Sequence, residues 1–426
     1  MSFKTWYKKR GPKFIFQRGK AILKRQGIFT EKSMLRVENC VDTLANLGCF
    51  PTLPTPGDIV NRYPKFIQKL QDKGVEIAVH SYHHKNLSEI PLEEALQQLE
   101  RAVKVFAKYD IDVHGFRCPY LGHTADLIES IPQGLFKYSS NKAIFWKPKI
   151  ETPEKDLFYV TLDNFYHGEN SENVICAPQL KENLIEIPVC VPDDLQLMDG
   201  LKMQSEDVFQ EWKSIQNEIY RRGELFTILF HPELAHLCNN PFLALLDYIQ
   251  ASQPAVWIAK LSEISDWWLE KAKFSVEIIE NNEELIIKFN SSPRATILFR
   301  SQLNNSVFKF WEGNYWQING SQISIPKQPR PFIGLEKDVP ESIVSFLQEQ
   351  GYIIDQSEKA YDCSLFFDHP SILVFQSPLS LVEFIESKST PLLRFGRWPN
   401  GAKSALCLSG DLDVLSLFDY ASRVFY

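Results

Sequence analysis

Apolar positions along this chain follow two rhythms that trade places repeatedly. From residue 34 to 48 they recur every three or four residues, Leu35 to Leu47, which predicts an amphipathic helix closed by Gly48. A loop rich in Pro51, Pro54, Pro56 and Gly57 follows a short strand or loop at 49–53. A second helix over 61–73 carries Phe66, Ile67 and Leu70, and Gly74 breaks it. Val75, Ile77 and Val79 then alternate with Glu76 and Ala78, the period of a strand. The helical period returns over 91–109 through Leu92, Ala95, Leu99, Ala102 and Phe106, and Val113 to Phe116 read as the next strand. Further on, a short helix from about 125 leads to 135–140, and 150–175 looks irregular. Residues 184–189 read as a strand, 205–222 as a helix ending at Gly223, and 225–230 as a buried strand. A helix over 241–250, a strand over 255–258 and a Trp-rich helix over 261–273 complete this part. Helix–strand alternation of this kind predicts a parallel sheet or barrel.

The rhythm changes near 274. Short alternating runs separated by turn residues, from Ser275 to Ile325, predict an all-β module of sandwich type. A proline-bearing linker, 326–331, ends it. Alternation resumes over 340–395, with strands expected near 352–354, 364–367, 372–375 and 392–395. The last apolar run is Ala405-Leu406-Cys407-Leu408-Ser409.

A length of 426 residues allows two or three domains. The net charge of −7 argues against general nucleic-acid binding. The charge is uneven, though. Residues 1–30 hold Lys4, Lys8, Lys9, Arg10, Lys13, Arg18, Lys20, Lys24 and Arg25 without an acid, interleaved with Phe3, Trp6, Tyr7, Phe14 and Phe16. Such an arm suits peripheral contact with a membrane surface or an anionic glycan; it also suits a solvated extension. No apolar run is long enough for a signal peptide or a membrane span. The eight cysteines are scattered without a C-x-x-C pair, as expected of reduced thiols in a cytoplasmic protein, membrane-associated if the arm engages.

Candidate chemistry gathers where strands stop, the end at which parallel α/β folds place their reactive groups. After the 75–79 strand come His80, Ser81, Tyr82, His83 and His84. Imidazoles are common metal ligands, and either His80/His84 or His80/His83 could share one ion; three exposed loop histidines are the plain alternative. A catalytic metal site usually takes a third ligand, and no Asp-Asp or Asp-x-Asp precedes His80. Gly410-Asp411-Leu412-Asp413 follows the 405–409 strand directly, and His231 follows the 225–230 strand.

Together these pieces resemble the polysaccharide deacetylases, the carbohydrate esterase family with the NodB-homology domain. His80-Ser81-x-x-His84 matches that family's metal motif, Arg117-x-Pro119-Tyr120 its groove motif and Leu229-x-His231 its Leu-x-His motif. The resemblance covers about 35–270. It implies an α/β fold, an irregular (β/α) barrel of NodB-homology type. In this chain the barrel would be circularly permuted with an inserted β-sandwich, because the family's opening strand and aspartates find their nearest match at 405–413. The expected organisation is a basic arm at 1–33, the barrel at 34–273, the sandwich at 274–326, a small α/β region at 327–400, and a strand and helix at 401–426 that complete the barrel.

The resemblance further implies a carbohydrate substrate, an N-acetylated amino sugar that loses its acetyl group. A divalent metal, Zn2+ by expectation, would be held by His80, His84 and Asp413. Asp411 would act as general base, Arg117 would orient it, the Tyr120 main-chain N–H would stabilise the oxyanion, and His231 would protonate the leaving amine. A spacing of two leaves the roles of Asp411 and Asp413 interchangeable. The family's Asp-Trp motif before the last histidine has no clear match; Asp193, Asp194 and Asp199 are candidates for its part. A glycan-binding protein with a dead site, using Trp311, Tyr315 and Trp316, and a hydrolase of another C–N amide bond are the alternatives.

Overall fold

The computed structural model describes residues 30–147, 153–233, 239–281, 283–301 and 308–422, so the basic arm lies outside the described residues. Its largest element is a sheet of twelve strands curled into a half-barrel. Along its middle run Val189–Val191, Leu225–Phe230, Ser404–Gly410, Thr52–Thr55, Glu76–Val79, Val113–Phe116 and Tyr138–Ser139, each parallel to its neighbour. The strand nearest the C-terminus thus sits between strands from much earlier in the chain. Leu225 to Phe230 pair with Ala405 to Gly410 on one side. On the other side Val256–Ile258 pairs with the strand's first half and Thr52 with Ser409. Ser404–Gly410 is buried throughout, as its small and apolar sequence requires of a strand covered on both faces.

Helices cover the outer face. Leu92–Lys108 buries Ala95, Leu99, Ala102 and Phe106, and Ser205–Arg222 buries Val208, Trp212, Ile215 and Ile219. Both follow the spacing read from the sequence. Gly223 ends the second at φ 68°, a left-handed cap that releases the chain into Leu225–Phe230. At Gly115 the space is decisive, because a Cβ would lie 2.4 Å from the Tyr138 ring.

Three local expectations need correction. Residues 153–166 form a helix, Pro153–Tyr166, where irregular chain was expected; its aromatic and apolar residues hid the period by lying on both faces. The run at 184–189 is not one strand. Ile185–Glu186 pairs with Tyr138–Ser139, while Val189–Val191 pairs with Ala143–Phe145 elsewhere in the sheet, and Pro188, which has no N–H to donate, separates them. At 372–375 there is no strand: Asp368 caps a helical turn, His369–Ile372, through Ser371 N–H.

Beyond the half-barrel lie two antiparallel sheets and one parallel sheet. The first holds Ser275–Glu280, Glu284–Asn290 and Gln322–Pro326. The second holds Ile297–Arg300, Phe308–Glu312 and Tyr315–Ile318, and takes Leu392–Phe395 as an edge strand from outside 274–326. Leu285, Ile287 and Phe289 of the one share a core with Phe299, Leu393 and Phe395 of the other. In the third, Arg330–Leu335 runs parallel between Ile354–Asp355 and Cys363–Phe367. Among the described residues no helix is long and apolar enough to cross a membrane, and the seven described cysteines are free and buried.

Candidate active site

Parallel register brings the chemistry together. Past the strand ends, His80 N–H donates to Thr55 O, Arg117 N–H to Val79 O and Ser140 N–H to Phe116 O. On the other side Asp411 N–H donates to Phe230 O and Leu412 N–H to Pro54 O. His80, Arg117, Ser140 and Asp411 therefore stand at adjoining strand mouths although they lie far apart in sequence.

His80 is buried, with Nδ1 2.8 Å from the Arg117 carbonyl oxygen. A carbonyl only accepts, so Nδ1 carries the proton and Nε2 presents its lone pair. That nitrogen has no hydrogen-bond partner and faces Asp413 Oδ1 at 3.4 Å and Asp411 Oδ2 at 3.7 Å. A lone pair aimed at two carboxylates is repulsive unless a cation lies among them. His84 Nε2 is 3.0 Å from the same Asp413 Oδ1. Ligand atoms of His80, His84 and Asp413 lie within 4.8 Å of one another, a donor set that fits a divalent ion such as Zn2+. Ser81 and His84 both adopt left-handed backbone, φ 62° and 54°, which turns the two imidazoles toward each other. His83 points away, toward Asp58 at 3.9 Å, so geometry selects His84 from the two spacings.

The two C-terminal aspartates are equally well separated. Asp411 Oδ1 accepts from Arg117 Nη1 at 2.9 Å. Arg117 is fully buried and donates its remaining arms to the Ser140 carbonyl and hydroxyl at 3.0 and 2.9 Å. Asp413 instead lies between the histidines. Ser140 did not stand out in the sequence; its place one residue beyond a strand was the available signal.

His231 sits beside this cluster with Nδ1 2.8 Å from Asp194 Oδ1, and its main-chain N–H donates to Asp194 Oδ2 at 2.9 Å. Of the three aspartates considered for this part, Asp194 holds the position. Burial opposes charge on His231, but Asp194, with Asp193 and Asp413, outweighs it and raises the imidazole's pKa well above its ordinary value. Burial and the neighbouring Asp194 push Asp193 up to about 7. Burial pushes Glu233 up to about 8. Tyr120 occupies the rim at φ 61°, half-exposed, its ring edge-on to His84 at 5.0 Å and to Phe165 at 6.3 Å.

Residues 34–134 match the family described as polysaccharide deacetylase. The matched segment carries His80, His84, Arg117 and Tyr120, and stops before His231 and the Asp411–Asp413 pair. Solved structures of similar shape include a polysaccharide deacetylase from Mycobacterium smegmatis, 17% identical, covering 55% of this chain and 77% of that one at a TM-score of 0.43. Peptidoglycan deacetylase PdaC from Bacillus subtilis is 15% identical over 55% of this chain and 84% of its own, TM-score 0.33. Puue allantoinase is 14% identical over 55% of this chain and 72% of its own, TM-score 0.43, and a Pseudomonas aeruginosa polysaccharide deacetylase is 16% identical over the same shares, TM-score 0.42. Among curated proteins nothing matches.

Proposed function

We propose that the protein is a metal-dependent hydrolase that removes the acetyl group from an N-acetylated amino sugar of a glycan. The observation that carries this reading is the pairing of a His80–His84–Asp413 donor set with a second carboxylate, Asp411, held by a buried arginine 2.9 Å away. His80, His84 and Asp413 would hold a divalent cation, which when bound would act as a Lewis acid on an amide carbonyl and acidify water. Asp411 is the general base: the Arg117 guanidinium holds Oδ1 and orients the carboxylate, leaving Oδ2 to take a proton from water. Attack on the acetyl carbon gives a tetrahedral oxyanion, toward which the Tyr120 main-chain N–H contributes. His231, kept protonated by Asp194, gives its proton to the departing amine as the C–N bond breaks. The products are acetate and a free amino sugar.

The test is acetate release from a panel of acetylated glycans and sugar nucleotides by the full chain, as isolated, chelated and reloaded with Zn2+ or other divalent ions. Metal-restored acetate release is expected. A protein that binds metal yet releases no acetate from any member, or releases ammonia or urea from other amides, replaces this reading with another C–N hydrolase. A protein that binds no metal replaces it with a glycan-binding role. The basic, aromatic arm at 1–30 fits contact with an anionic surface, tested by co-sedimentation with anionic vesicles before and after its removal.

A further inference from the structure

The opposite end of the same strands carries a second cluster. Gly223 and Lys403 precede the central strands Leu225–Phe230 and Ser404–Gly410, whose far ends bear His231 and Asp411. A strand of seven residues spans about 20 Å, so groups at its amino end stand clear of the metal-ligand cluster. Here lies a cavity of about 410 Å³ between the half-barrel and the antiparallel sheets, within the size range of small-ligand pockets. Trp311 and Tyr315 supply aromatic wall, and Arg300, Arg394 and Arg397 supply charge.

All three arginines are buried. The ion pairs around them account for little of that charge. Lys403 takes Glu312 at 2.5 Å, Arg221 takes Glu218 at 2.6 Å and Arg222 takes Glu224 at 2.7 Å. Glu386 is left as the shared carboxylate, 2.5 Å from Arg394 and 3.7 Å from Arg300. Arg397 makes no direct ion pair among the described residues, with Glu224 and Glu386 acting on it from further off; it donates to Gln350 Oε1 at 2.8 Å and to the Arg222 and Gly223 carbonyls at 2.7 and 3.1 Å. Burial and the nearby Arg394 make its charge harder to hold. Arg300 spends Nε and Nη1 on the Thr390 and Ile385 carbonyls, while Nη2 is buried without a hydrogen-bond partner. Three buried guanidinium groups share Glu386 and the more distant pull of Glu224, which Arg222 already holds, so positive charge remains out of water, a costly arrangement that an anion would relieve.

We infer that this cavity binds a phosphorylated small molecule, its phosphate accepting hydrogen bonds from the Arg300–Arg394–Arg397 cluster. Planar guanidinium forks match phosphate oxygens in pairs, and the two aromatic side chains suit a ring carried by the same ligand. The inference stands apart from the deacetylase reading, since none of these residues belongs to the metal-ligand cluster.

The test is isothermal titration of the full chain with inorganic phosphate, pyrophosphate and a nucleoside diphosphate at constant ionic strength, with chloride as control. Saturable binding at or below about 1 mM is expected. A nucleoside diphosphate binding more tightly than phosphate identifies a ring-bearing ligand, and equal affinity identifies free phosphate; both support the site. Arg300→Lys keeps the charge and loses the fork, and should weaken binding about tenfold or more. Glu386→Gln removes the carboxylate that competes with the ligand and should tighten binding, so a folding failure of one variant leaves a reading from the other. No saturable binding by any of the three anions, or an unchanged Kd in folded Arg300→Lys, overturns the inference. The latter result would place the anion elsewhere, such as at the His80–His84–Asp413 cluster.

Discussion

Replacing Arg117 with alanine should damage both the fold and the chemistry. The side chain is fully buried and makes hydrogen bonds to Asp411 Oδ1, the Ser140 carbonyl and the Ser140 hydroxyl, all at 2.9 to 3.0 Å. Its loss strands the Asp411 carboxylate, itself 6% exposed, without its cation. Breaking a buried ion pair from one side costs about 3–5 kcal/mol. That is a large share of the roughly 5–15 kcal/mol by which a domain is stable. Full burial therefore predicts an Arg117→Ala protein that folds with a reduced denaturation midpoint. Loss of a preorganised polar group should also slow turnover by about 10²–10³-fold. Urea unfolding and acetate release measure the two effects. Asp411→Asn separates them: with the charge already gone, adding Arg117→Ala should cost less stability than it costs wild type, a coupling above about 1 kcal/mol. Additive losses, or an Arg117→Ala protein within about 0.5 kcal/mol of wild type and near-normally active, would refute the reasoning.

Asp413→Asn should bind Zn2+ far more weakly while Asp411→Asn retains the metal and loses activity, as read by metal content after dialysis; the reverse result exchanges their roles. Stability of the metal-free protein should fall as pH rises from about 4 through about 7 and 8. Asp193 and Glu233 hold protons there that the unfolded chain has released, so unfolding is favoured with rising pH; Asp193→Asn should flatten the Tm–pH curve below about pH 7. Truncation before Ser404 should abolish folding and not metal binding alone. It withdraws the strand that pairs with Leu225–Phe230, Val256–Ile258 and Thr52, and a cooperative unfolding transition in the truncated chain would contradict this.

Much of the half-barrel was legible because its signals are local. Leu92–Lys108 and Ser205–Arg222 show their buried faces at helical spacing, and Leu225–Phe230 and the run from Ala405 are too apolar and β-rich to lie on a surface. His80, Arg117, His231 and Asp411 were legible for a related reason, since each directly follows such a strand. What local pattern cannot carry is pairing. Nothing within Leu392–Phe395 says that it joins a sheet begun at Ile297–Arg300, and nothing within Ile185–Val191 says that its two halves serve different neighbours. The choice of His84 over His83 rested on two left-handed residues, and the division between Asp411 and Asp413 on which carboxylate met Arg117. Composition and period determined most of the helices and strands, though not the helix Pro153–Tyr166, and which strand ends bear reactive groups. Only the tertiary structure decided which ends meet, because hydrogen-bond register between distant strands, and the burial of charge that follows from it, is a property of the packed chain and of no segment within it.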